Sequence, residues 1–101
     1  MSWSDAQIQQ VWEKAAPQVN NDPNVWRKDQ CGAWLNRAAH GDRNSKWGWE
    51  IHHINPNGGD GMANLMPLHW ENNLSSADTG RVICVLISDG TTNVKRQPFY
   101  A

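Results

Sequence analysis

The sequence predicts a single small α+β domain spanning residues 1–101, and three local patterns lead to this prediction. A capped amphipathic segment near the start predicts a helix at about 4–16. Alternating residues, a Gly-rich loop, a second extended stretch and a polar helical stretch predict strand, strand and helix over 47–78. A β-branched run followed by a turn predicts two strands at about 81–99. A chain of 101 residues has room for one hydrophobic core.

The N-terminal helix is predicted to start at Ser4, which forms an S-x-x-Q capping box with Gln7. Apolar residues then recur at helical spacing on one face: Ile8, Val11, Trp12 and Ala15. Pro17 is expected to end the helix, because the residue before a proline avoids helical backbone angles. We expect this apolar face to pack in the core, with a partner or dimer contact as the alternative.

Residues 25–40 allow two interpretations. Residues 33–40 suit a short helix closed by Gly41, and residues 31–35 equally suit a strand that enters a turn. A loop follows as far as Lys46, because Asp, Asn and Ser favour turns. Aromatic burial is expected to anchor a small core. Five of the seven tryptophans are assigned to it: Trp12, Trp26, Trp34, Trp47 and Trp49.

The central pattern alternates from Trp49 to Ile54, which predicts a strand. Residues 56–61 are too rich in glycine for regular structure, and residues 65–69 are a second extended stretch. Residues 70–78 suit a helix, with Gly80 near its end. After the β-branched run, Asp89-Gly90 signals a turn, so the last residues are expected to pair back as a hairpin.

Cys31 and Cys84 are the two cysteines, fewer than a small secreted domain usually carries. We therefore expect reduced thiols, with Cys84 an inert core residue, and a cytoplasmic protein. No segment has the roughly 20 apolar residues that cross a bilayer, so no membrane association is expected. The first residues lack a basic, then apolar, signal peptide.

The net charge of −1 is unevenly distributed. Residues 27–46 hold five basic residues and two acidic ones, whereas residues 47–80 hold four acidic residues and no Lys or Arg. A near-neutral total is unusual for a strong nucleic-acid binder. The acidic central region would therefore need a cation to accept a phosphate.

Residues 48–56 read GWEIHHINP and are followed by Gly58-Gly59, Asn64-Leu65, Pro67-Leu68 and Asn73. This arrangement resembles the HNH endonuclease family, in which a strand ends in Asp-His or His-His and leads through a Gly-rich loop to an Asn and a helix. Asn64 and Asn73 are nine residues apart, as the corresponding motif residues of the family usually are. The resemblance implies a ββα-metal fold. Residues 26–46 also resemble the lead-in of small phage and bacterial HNH proteins.

Two adjacent histidines at a strand end suit two different tasks, because adjacent strand residues point to opposite faces. One imidazole can bind a metal while the other serves as a base near neutral pH. The resemblance implies that His52 and Asn73 are metal ligands, that His53 is the general base, and that Asn64 braces the loop behind it. The implied reaction is metal-dependent hydrolysis of DNA phosphodiester bonds, which leaves a 5′-phosphate and a 3′-hydroxyl.

The sequence departs from the family pattern in three ways. Many relatives hold a structural zinc with two CxxC pairs, but here only Cys31 remains, with His69 and Asn72 at downstream positions. Ser75 to Ala77 stand where relatives often have a Lys, and a third His ligand is missing. With His52 and Asn73 alone, the metal must complete its shell with waters and phosphate oxygens. That suits Mg²⁺ or Mn²⁺, although a His ligand also admits Ni²⁺, Co²⁺ or Zn²⁺.

Four residues are candidates for phosphate contact: Arg37, Arg43, Lys46 and His69. For His69 we favour a packing role at the start of the helix, and for Asn72 a structural role. We expect DNA as the substrate of a phage or mobile-element protein, with a protein partner or homodimer to supply specificity. The alternatives are an inactive HNH-fold protein that regulates a protein partner, and a packaging nuclease that works only with a terminase.

Overall fold

The structure, a computed structural model, describes residues 2–101. Over this range it has two α-helices and seven strands in three small antiparallel sheets. In chain order these are α1 (Asp5–Trp12), β1 (Ala16–Pro17), β2 (Trp26–Lys28), β3 (Trp34–Asn36), β4 (Trp49–His53), β5 (Leu65–His69), α2 (Trp70–Ser76), β6 (Ile83–Ser88) and β7 (Asn93–Tyr100). The sheets are β1-β2-β3, β4-β5 and β6-β7. The predicted α+β class is confirmed. No helix among the described residues is long and apolar enough to span a membrane.

Helix α1 begins as predicted and ends early. Both hydrogen bonds of the Ser4–Gln7 capping box are present. The helix stops at Trp12, so the prediction that it runs to residue 16 is wrong. The chain leaves the helix through two tight turns, in which Lys14 N bonds Val11 O and Ala15 N bonds Trp12 O. Just beyond the helix, the Arg27 guanidinium donates to Glu13 O at 3.1 Å and Ala15 O at 3.0 Å. The Arg27 bonds hold the segment between α1 and β1, and β1 then pairs with β2.

The ambiguous region around residues 25–40 combines both interpretations. It forms two short strands, β2 and β3, with Arg27 opposite Leu35 in the pairing. A single 3₁₀ turn, Arg37–Ala39, follows, in which the Asn36 side chain accepts from Ala38 N. The predicted strand therefore lies slightly later than expected, and the predicted helix shrinks to one turn.

The main core lies between α1 and the β4-β5 sheet. It consists of seven buried residues: Val11, Trp12, Ala15, Leu35, Trp49, Ile51 and Leu65. The Trp12 and Trp49 rings pack 5.4 Å apart, centroid to centroid. Trp26, Trp34 and Trp47 are only half-buried and stack edge to face beside this core. The apolar face of α1 is thus used in packing, as expected.

A second cluster contains a disulfide that the sequence analysis did not predict. Cys31 and Cys84 are bonded, with Cα atoms 5.5 Å apart, and they pack with Leu68 and Val82. The expectation of two reduced thiols is therefore wrong. The pair is 53 residues apart and meets only because β6 packs over the turn after β2. The expectation of a cytoplasmic protein rested partly on reduced cysteines, and the disulfide removes that reason. The cytoplasmic location stays a prediction.

Buried Asp29 ties this region to helix α2. Its carboxylate accepts hydrogen bonds from the backbone N–H groups of Cys31, Ala33 and His69, and from Asn72 Nδ2. Asn72 Oδ1 in turn accepts from the N–H groups of Val85 and Leu86. The disulfide and this network occupy the region where the resemblance would place a structural zinc. They hold α2 against the turn before β3 and against β6.

Candidate functional site

The candidate site forms where β4 ends, beneath helix α2. Antiparallel pairing sets Trp49 opposite His69 and His53 opposite Leu65, which brings the start of α2 back over the sheet. A pocket of about 230 Å³ opens there. Its lining is Ile51, His52, His53, Pro56, Asn73, Ala77 and Asp78. The structure therefore brings His52, His53 and Asn73 together around one pocket.

His52 is buried, and its ring faces Asn73. Nδ1 of His52 lies 2.9 Å from Asn73 Oδ1, and because an amide oxygen only accepts, Nδ1 is the donor. Burial lowers the pKa of His52, against the raising effect of the Asn73 hydrogen bond. The ring is therefore neutral at physiological pH, the form that binds cations. Nε2 is enclosed and has no hydrogen-bond partner among residues 2–101.

Glu50 fixes the orientation of the Asn73 amide. Asn73 Nδ2 donates to Glu50 Oε1 at 2.9 Å, and a carboxylate can accept but not donate. Asn73 must then turn its oxygen toward His52. Arg43 binds both carboxylate oxygens of Glu50, because its Nε donates to Oε2 at 2.7 Å and its Nη2 donates to Oε1 at 3.0 Å. Burial favours the neutral form of Glu50, but the hydrogen bonds from Arg43 and Asn73 outweigh it and lower its pKa.

His53 follows His52 at the end of β4, and its side chain is partly open to solvent. Its Nε2 lies 2.6 Å from Asp60 Oδ1, and the Trp3 ring packs 5.8 Å away, centroid to centroid. Because an ionised Asp60 can only accept, Nε2 carries the proton of a neutral His53. Nδ1 of His53, which makes no hydrogen bond among the described residues, is then left with its lone pair.

Asn64 organises the loop between the two strands. Its Oδ1 accepts from Asn55 N at 2.9 Å, while its Nδ2 donates to Asn55 O at 3.0 Å and to Gly59 O at 2.8 Å. A Cβ at Gly58 would lie 2.8 Å from Asn64 Nδ2, so a larger residue would displace this amide. Asn64 thus closes the loop that carries Asp60 to His53, a geometry compatible with the bracing role implied by the resemblance.

A divalent metal fits the spacing of His52 and Asn73. Two ligand atoms at right angles about a cation, each roughly 2.1 Å from it, are about 3 Å apart. The distance of 2.9 Å between Nδ1 and Oδ1 is close to this value. A cation between these two atoms would replace their hydrogen bond, and the ring proton would then move from Nδ1 to Nε2. Among residues 2–101 no group of three or more His, Cys, Asp or Glu side chains is arranged to hold a metal. A cation here would therefore need water and substrate oxygens as further ligands.

The four candidates for phosphate contact do not share one location. Arg43, Lys46 and His69 line a separate pocket of about 350 Å³, together with Lys95. His69 is only 2% exposed, and its two ring nitrogens bond Lys46 O and Glu71 N, so it holds the start of helix α2. Arg37 lies elsewhere, with Nε donating to Gln9 Oε1.

Sequence reasoning missed three acidic residues of the site: Glu50, Asp60 and Asp78. Glu50 lies two residues before His52, so strand alternation places both on one face and was an available signal. Asp60 gave no such signal, since its approach to His53 depends on the path of an irregular loop. Comparison with protein-family models, curated proteins and solved structures found no match to this chain.

Proposed function

We propose that the chain is a metal-dependent DNA endonuclease of the HNH type, built on a ββα-metal fold over β4, β5 and α2. The observation that carries this proposal is the pairing of a neutral His52 with Asn73 at 2.9 Å, beside a histidine whose Nδ1 is free to accept a proton. The motif resemblance supports it independently. The missing Lys and third His make this a reduced version of the site.

His52 and Asn73 would hold one divalent ion, with Mg²⁺ or Mn²⁺ favoured by the amide oxygen and the need for water ligands. When bound, such an ion neutralises charge on a phosphate and on the leaving oxygen. Among residues 2–101 no carboxylate or carbonyl contacts Nε2 of His52, a contact that usually strengthens a His ligand. We therefore expect modest affinity for free metal.

His53 would remove a proton from a water molecule through Nδ1. The water oxygen forms a bond to phosphorus, the bond from phosphorus to the 3′-oxygen breaks, and the 3′-oxygen takes a proton from solvent. General-base catalysis of this kind contributes about 10²- to 10⁴-fold to a rate. Asn64 would keep the loop behind His53 closed, which holds the base in one position.

A plasmid-nicking assay with Mg²⁺, Mn²⁺, Ni²⁺ or EDTA tests the proposal. We expect metal-dependent nicks that DNA ligase reseals, since ligase requires a 5′-phosphate beside a 3′-hydroxyl. Asn73→Ala should require much more metal for the same rate. A folded protein that cuts with none of these metals would refute the stand-alone nuclease. It would favour the alternative of an inactive or partner-dependent HNH-fold protein.

A further inference from the structure

We infer that Asp60 is a positioning residue, which selects Nδ1 of His53 as the proton-accepting atom. The contact that carries this inference is the 2.6 Å separation of His53 Nε2 and Asp60 Oδ1. The kinetic part of the inference rests on the proposed nuclease function. The structural part, the state of the His53 ring, does not.

The two imidazole nitrogens differ in what surrounds them. Nε2 is occupied by an acceptor, so it keeps its proton, whereas Nδ1 is the nitrogen that remains free. His53 lines the pocket that also contains His52 and Asn73, whereas Asp60 is absent from its lining. The carboxylate thus holds the ring from outside the pocket, and the water proton would arrive at Nδ1.

Asp60 also balances the charge that proton transfer creates. When Nδ1 takes the proton of water, His53 becomes an imidazolium with Asp60 in direct hydrogen-bonded contact. A carboxylate in this position stabilises the cation without itself taking the proton. The side chains of His53 and Asp60 are 32% and 43% exposed, so water screens part of this interaction. We therefore expect Asp60 to raise the cleavage rate only modestly for a hydrogen-bonded carboxylate.

The loop is built to deliver this carboxylate. Asn64 binds Asn55 and Gly59 across the loop, and Gly59 has a positive φ of 78°, which suits glycine. Asp60 follows directly. Its side chain makes no other hydrogen bond among the described residues, so removing it should leave the fold intact. Asp22, an exposed loop aspartate outside the pocket that accepts from Asn24 N, provides a matched control.

Nitrogen-15 NMR of the metal-free protein, at a pH where His53 is neutral, tests the structural part. We expect the proton on Nε2, and Asp60→Ala should shift the His53 ring signals while Asp22→Ala leaves them unchanged. A proton on Nδ1 in the wild type, or His53 signals that ignore Asp60→Ala, would overturn the inference. These outcomes do not depend on whether the protein cuts DNA.

Cleavage kinetics with Mn²⁺ test the functional part. Asp60→Ala should lower kcat by about 10-fold and leave KM and Mn²⁺ affinity unchanged. Asp60→Asn, which keeps an acceptor oxygen, should lose less. In a His53→Ala background Asp60→Ala should cost nothing further, because its effect acts through His53. Weaker Mn²⁺ binding by Asp60→Ala would instead identify Asp60 as a metal ligand and overturn the inference. Absence of cleavage by the wild type would refute the nuclease proposal alone.

Discussion

Replacing Glu50 by Gln tests how the metal ligand Asn73 is oriented. Glu50 Oε1 accepts from Asn73 Nδ2 at 2.9 Å. The amide oxygen Oδ1 is therefore turned toward His52 Nδ1, also at 2.9 Å. A Gln side chain both donates and accepts, so it no longer selects one orientation of the Asn73 amide. A hydrogen bond to a charged group is worth about 1.5–3 kcal/mol, which corresponds to roughly 10- to 100-fold in affinity. We expect Mn²⁺ affinity to fall about 10-fold in Glu50→Gln.

Glu71→Gln is the matched control for this change. The Glu50 and Glu71 side chains are 19% and 20% exposed, and each is paired with a basic residue, Arg43 and Lys95 respectively. Only Glu50 contacts Asn73. Titration of the DNA-free protein with Mn²⁺, followed by electron paramagnetic resonance or calorimetry, compares the variants. Equal affinities for the wild type, Glu50→Gln and Glu71→Gln would refute the argument that Glu50 sets the ligand geometry.

Three further predictions concern stability. Reduction of the Cys31–Cys84 disulfide, which spans 53 residues, should destabilise the fold by about 4 kcal/mol and lower Tm by roughly 20 °C. Calorimetry with and without reductant measures this change, and an unchanged Tm would contradict the prediction. Asn72→Ala should lower the free energy of unfolding, measured in urea, by about 3–5 kcal/mol, because Val85 N, Leu86 N and Asp29 lose their hydrogen-bond partner. The control Asn44→Ala should lower it by less than about 0.5 kcal/mol. Burial lowers the pKa of His40 below its usual 6.5. On acidification the unfolded chain therefore protonates His40 at a higher pH than the folded protein does. The free energy of unfolding of the wild type relative to His40→Asn should be largest above pH 6.5 and should shrink as the pH falls below it. A difference that grows on acidification would contradict this argument.

The sequence predicted the parts of the fold that depend on local signals. The Ser4 cap, the β4 and β5 strands, the start of α2 and the C-terminal hairpin each follow from neighbouring residues, and all are present. Helix α2 ends at Ser76, two residues before the predicted end, and the following turn includes Asp78 with a φ of +62°. His52, His53 and Asn73, which the motif intervals singled out, line one pocket; their roles stay predictions.

The remaining features depend on contacts between distant segments. The disulfide joins Cys31 to Cys84, and Asp29 reaches His69 and Asn72 some forty residues away. Nothing in the spacing of two cysteines or in one aspartate indicates such partners. Arg27 likewise binds Glu13 O and Ala15 O in the segment after α1, a contact between two different parts of the chain. Such contacts form only in the folded chain, so no local pattern of residues indicates them.

The most direct test of the central claim is the rate of plasmid nicking with Mn²⁺ by His53→Ala, measured beside the wild type and His40→Ala. His40 packs its ring on Trp49, 4.8 Å away centroid to centroid, and does not line the pocket, so it controls for the general loss of an imidazole. We predict that His53→Ala lowers the rate by at least about 10²-fold while His40→Ala retains most of it. Nicking by His53→Ala at the wild-type rate would contradict the assignment of His53 as the base.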